Sequence, residues 1–126
     1  MEIEEIKERI AKLADLPLHF GYMQSGDPKE IERVGRLVMD HFGLKNQFAV
    51  CKIRTMCGHS FQFRLDGKTV TDYHNYNNSG RMGHANVTMC IQDVVAEALC
   101  QQDEAHATDI LPLFDVWTAK IKWNYS

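Results

Sequence analysis

The chain is expected to fold as an α+β domain: an antiparallel sheet of about four strands with three helices, in the order α-α-β-β-β-α-β, packed as two layers. Three observations predict this. Two segments carry apolar residues at helical spacing behind recognisable helix starts, around 28–42 and 87–99. Three segments between 48 and 74 alternate at period two and are joined by short turn signals, which forces them to run antiparallel. The 126 residues are 44% hydrophobic and 25% charged, enough to bury one core without disulfides or metals and matching a single domain over 1–126.

The first helix is read over 2–15. Ile3, Ile6, Ile10 and Leu13 recur at three and four, acidic residues lead and basic ones follow. Glu5 with Arg9 and Glu8 with Lys12 are spaced for ion pairs on one helix face. Pro17 stops it. The stripe is narrow, so this helix either docks at the periphery of the core or forms half of a homodimer seam; barely two heptads favour docking.

Asp27, Pro28 and Glu30 start the second helix: a side-chain cap, a proline in the first turn and a carboxylate three residues on. Ile31, Val34, Leu37, Val38 and Phe42 share its buried face, and Gly43 supplies a left-handed end.

In the first strand, over 48–56, Ala49, Cys51, Ile53 and Thr55 are placed on the core side. In the second, Phe61, Phe63 and Leu65 alternate with Gln62 and Arg64. A three-residue turn at Cys57, Gly58 and His59 sets Ile53 opposite Phe63 and Cys51 opposite Leu65. Asp66-Gly67 is a hairpin signal leading to a third strand over 68–74.

Asn86 caps the third helix, with Val87, Cys90, Ile91, Val94, Val95, Ala98 and Leu99 as its stripe. After a helical turn around 109–115, Trp117, Ala119, Ile121, Trp123 and Tyr125 alternate with Lys120 and Lys122 and form the last strand.

Net charge is −3 and the isoelectric point about 6.0, which does not favour nucleic acid as a partner. Lys52, Arg54, Arg64, Lys120 and Lys122 make a basic patch only if their strands share a solvent face. No apolar run approaches the ~20 residues that span a membrane. The start, Met1-Glu2-Ile3-Glu4-Glu5, is acidic where a secretory signal is basic, so a cytoplasmic location is expected. The four cysteines, Cys51, Cys57, Cys90 and Cys100, have no C-x-x-C spacing and read as free thiols. Cys51, Cys90 and Cys100 suit the core. His19, His41 and His106 stand apart from one another and read as surface or packing residues.

Two places can carry function. The first is the loop 74–86. Ser79, Gly80, Arg81, Met82, Gly83 and His84 run into the third helix, where glycine-freed amides, the helix terminus and an arginine fork suit an anion. Tyr73, Tyr76, Asn77 and Asn78 flank it as contacts for a partner or a base. No nucleotide-loop motif is present. The second depends on register. A two-residue turn at Asp66-Gly67 pairs Phe63 with Val70, Phe61 with Asp72 and His59 with His74, bringing His59, His74, Asp72 and Cys57 together as a metal or acid–base group. A glycine bulge instead pairs Phe61 with Tyr73 and Phe63 with Thr71 and disperses them. Aromatic pairing and the cost of burying an aspartate favour the bulge.

The leading expectation is a small non-catalytic binding protein, an inhibitor or adaptor of the sort that phage or mobile elements encode. It would engage a protein partner through the 74–86 loop and the sheet surface. The alternatives are a binder of a small anionic ligand or nucleotide at the Gly80 to Gly83 loop, and a metal-dependent enzyme using His59, His74 and Asp72. No cofactor is implied.

Overall fold

A computed structural model of the chain describes residues 1–15, 19–20, 26–76, 84–103, 106–116 and 124–125. Its elements are α1 (Ile3–Ala11), followed by a 3-10 turn over Lys12–Asp15, β1 (His19–Phe20), α2 (Pro28–His41), β2 (Phe48–Thr55), β3 (Gly58–Leu65), β4 (Lys68–Asn75), α3 (His84–Gln102), α4 (Ala107–Ile110) with a 3-10 segment over Leu111–Val116, and β5 (Asn124–Tyr125). The α+β class holds. Among the described residues, however, the main sheet has three strands in the order β2-β3-β4, not about four, and there are four α-helices, not three.

The expected fourth strand accounts for part of this difference. Residues 117–123, with Trp117, Lys120, Lys122 and Trp123, lie outside the described residues, and Asn124–Tyr125 pairs in parallel with β1, apart from the main sheet. A two-residue strand such as β1 shows no alternation, so the sequence carries no sign of this pairing. Among the described residues no helix is long and apolar enough to cross a membrane.

α2 begins as its chemistry dictates. The Asp27 carboxylate accepts the Lys29 amide at 3.0 Å, Pro28 occupies the first turn, and Gly43 closes the end at φ 69°. Ile31, Val34, Val38, Met39, Phe42 and Leu44 are fully buried. α1 carries the two expected ion pairs along its own surface, Glu5–Arg9 at 3.1 Å and Glu8–Lys12 at 2.9 Å. Arg9 also donates to the His41 carbonyl while the His41 ring bonds the Arg9 carbonyl. Ile6, Ile10 and Leu13 are buried in the same cluster as α2, so this stripe docks within the chain.

α3 starts at His84, two residues before the expected Asn86 cap. Its whole expected stripe, from Val87 to Leu99, is buried. With Val50, Phe61, Phe63 and Leu65 of the sheet it completes one hydrophobic cluster, which Ile110 and Phe114 extend.

The β2–β3 register differs from the expected one. The turn is Met56-Cys57, not Cys57 to His59, so Thr55 pairs with Gly58, Val50 with Phe63 and Phe48 with Leu65. An odd shift in register turns every side chain to the opposite face. Val50 is therefore in the core, and Phe48 packs against it. Ala49, Cys51, Ile53 and Thr55 occupy the outer face, with Ile53 45% exposed. The choice between faces is tertiary. Gly35 of α2 lies so close to Phe48 that a Cβ there would sit 2.1 Å from the ring, and only glycine admits the aromatic. At the open edge of β2, Glu32 of α2 accepts the Val50 amide at 2.8 Å.

Candidate functional site at the end of the sheet

The β3–β4 hairpin combines both registers weighed from sequence. Asp66 (φ 51°) and Gly67 (φ 83°) form a two-residue turn with Leu65 opposite Lys68 and Arg64 opposite Thr69. The register then shifts between Phe63 and Arg64, and beyond it Phe63 pairs with Thr71, Phe61 with Tyr73, Ser60 with His74 and His59 with Asn75. The bulge is thus inside the ladder and not at the turn glycine. The Asp66 carboxylate accepts from Asn46 Nδ2 at 2.7 Å and the Gln47 amide at 2.8 Å; these bonds hold its carboxyl below the usual range and fasten the approach to β2.

The bulge decides the fate of the histidines. His59 falls on the inner face and is buried, whereas His74 and Asp72 fall on the outer face. The triad of His59, His74 and Asp72 therefore does not converge, and among the described residues no group of three His, Cys, Asp or Glu side chains is placed to hold a metal. A Cys57–His59 pair does not form either. Cys57 meets His74 instead, Sγ to Nε2 at 3.6 Å, and Thr55 Oγ1 lies 3.4 Å from the same nitrogen.

Gly58 makes this meeting feasible. It pairs with Thr55, one outer-face position beyond Ser60, the partner of His74. With no side chain there, the imidazole has an open path across β3 toward Thr55 and the turn. The position admits no other residue without strain: φ is +145°, and a Cβ would sit 2.0 Å from the Asn75 carbonyl oxygen.

The same end of the sheet exposes apolar surface. Met56 is fully exposed at the turn tip, and Tyr76 is 74% exposed with its ring 4.4 Å from that of His74. Ile53 lies in the Ser60–His74 row. Met56 and Ile53 were not singled out from sequence. The missing clue was the turn: placing Gly58 after the turn, as a positive-φ residue, puts Met56 at the tip.

The other candidate residues divide. Tyr73 points inward, half-buried against the core. Asn77, Asn78, Ser79, Gly80, Arg81, Met82 and Gly83 lie outside the described residues, and His84 opens α3. The basic patch is split. Lys52 donates to the Gly26 carbonyl at 3.0 Å and lies 5.6 Å from the Phe61 ring centroid, while Arg64 is on the opposite face, bonded to Gln62 at 2.7 Å. All four cysteines are free. Cys90 is buried and its thiol is pushed up to about 12, by burial first and then by Asp93 and Asp72; burial also raises Cys100. Only Cys57 is exposed.

No protein-family model matches the chain, and neither the curated proteins nor the solved structures contain a significant match.

Proposed function

We propose that the chain is a small non-catalytic binding protein, of the inhibitor or adaptor kind, that engages a protein partner through the end of its sheet. The observation that supports this is the group Ile53, Met56 and Tyr76, exposed near the Met56-Cys57 turn and the end of β4. Exposed apolar side chains gathered at one place mark contact surfaces, and methionine and tyrosine are the types such surfaces favour. A turn tip adapts to a partner without disturbing the core beneath it.

The test is capture from a host-cell extract by the wild-type chain and by the double variant Met56→Asp, Tyr76→Asp. A control variant, Leu111→Asp, alters an exposed residue in the segment whose Phe114 packs on Phe42 at the far end of α2. The reading expects one specific protein retained by wild type and control and lost by the double variant, with unchanged unfolding midpoints. Retention of that protein by a folded double variant would place the contact elsewhere.

A further inference from the structure

We propose that Cys57 is a thiol-exchange site, with His74 as its proton acceptor and a low-molecular-weight disulfide as the molecule it reacts with. This goes beyond docking at the tip and holds with or without a protein partner there.

The argument begins with a comparison of the thiols. Exchange requires a sulfur that a disulfide can reach and a means of removing its proton. Cys90 has neither, being buried and raised to about 12. Cys51 and Cys100 are half-buried, and burial raises Cys100 further. Cys57 stands in an exposed turn beside the fully exposed Met56, with an imidazole nitrogen 3.6 Å from its sulfur.

The histidine is held in place. Its backbone is paired to Ser60 in the ladder, its ring lies against Tyr76, and the side-chain-free Gly58 leaves its path to the turn open. Both groups within reach of Nε2, the Cys57 thiol and the Thr55 hydroxyl, are donors. Each can donate to Nε2 in the tautomer protonated at Nδ1, the form in which His74 serves as proton acceptor. A nucleophile beside a base that its surroundings orient is the minimum machinery for covalent chemistry.

The step balances. The Cys57 S–H proton passes to His74 Nε2. The sulfur attacks one sulfur of R–S–S–R, forming the Cys57–S–S–R bond as the original S–S bond breaks. The departing R–S⁻ takes the proton from His74 and leaves as R–SH. The disulfide is the oxidant, and no other reactant is needed.

The experiment treats the native chain with oxidised glutathione and reads intact mass, then maps the modified peptide. The proposal expects one glutathione per chain, on Cys57. His74→Gln should slow the reaction about tenfold, less than the ~10²–10⁴-fold typical of a fully positioned catalytic base. The pH profile of the wild-type rate should also differ in shape from that of His74→Gln. Modification spread over Cys51 or Cys100, or its absence from Cys57, would overturn the proposal. So would equal rates, or pH profiles of the same shape, for the wild type and a folded His74→Gln or His74→Asn variant.

Discussion

Replacing Gly58 by alanine tests the end of the sheet at its most constrained point. Two costs add. The backbone angle of +145° is one that side-chain-bearing residues rarely adopt, and such strain costs about 1–3 kcal/mol. The new Cβ would also lie 2.0 Å from the Asn75 carbonyl oxygen, an overlap with main chain that only movement of β4 can relieve. Forced overpacking of that kind costs a further ~1–3 kcal/mol. The sum is about 2–6 kcal/mol, a large part of the roughly 5–15 kcal/mol that stabilises a domain of this size. Gly67→Ala isolates the first cost, because Gly67 also has positive φ but nothing within 4 Å of its Cβ position; it should lose only about 1 kcal/mol. Urea unfolding of the three proteins measures both differences. A Gly58→Ala loss no greater than that of Gly67→Ala would refute the close approach of β3 to Asn75, and with it the placement of His74 beside the turn.

Three further outcomes follow from single contacts. Glu32→Ala should cost about 1–2 kcal/mol by stranding the Val50 amide, and hydrogen exchange at that amide should quicken. Asp93 has its carboxyl raised by burial, against the bond to Thr71. A raised carboxyl resists ionisation in the fold, so stability falls as pH climbs through the ordinary carboxylate range and up to the raised value. Asp93→Asn should therefore stabilise at pH ~7, by less than about 1 kcal/mol because the side chain is largely exposed, and its advantage should vanish near pH ~3 in urea midpoints. Asp66 runs the opposite way. Its carboxyl is lowered by Asn46 and then by the Gln47 amide, so its contribution is present above the ordinary carboxylate range and is lost as pH falls through the lowered value. Asp66→Asn should lower the unfolding midpoint at neutral pH, and the gap to wild type should close in acid.

What could be read from the sequence, and what could not, divides along physical lines. α2 and α3 were legible because caps, prolines and stripes are local signals, and the Asp66-Gly67 turn because its backbone angles demand those residues. The facing of β2 was not. Phe48 and Val50 on one parity and Ala49, Cys51 and Ile53 on the other are both plausible inner faces, and the tie is broken by Gly35, distant in the chain but against Phe48 in space. The bulge in β4 was half legible: pairing of Phe61 with Tyr73 was favoured, but its position inside the ladder depends on keeping the two-residue turn while also burying Tyr73. The Cys57–His74 contact required both corrections at once, a shifted first turn and a shifted second ladder, so no local pattern announced it.

Both readings of the sheet end stand on that register, and it can be measured directly. In an antiparallel ladder the non-hydrogen-bonded pairs bring opposing Cα atoms to about 4.5 Å, close enough for strong Hα–Hα contacts in a nuclear Overhauser spectrum. The bulged register predicts such contacts for Ser60 with His74 and for Gln62 with Asp72. Hα–Hα contacts of Ser60 with Tyr73 and of Gln62 with Thr71 would instead mean an unbulged ladder, with His59 opposite His74 and the His74 side chain turned away from Cys57 toward the face of His59.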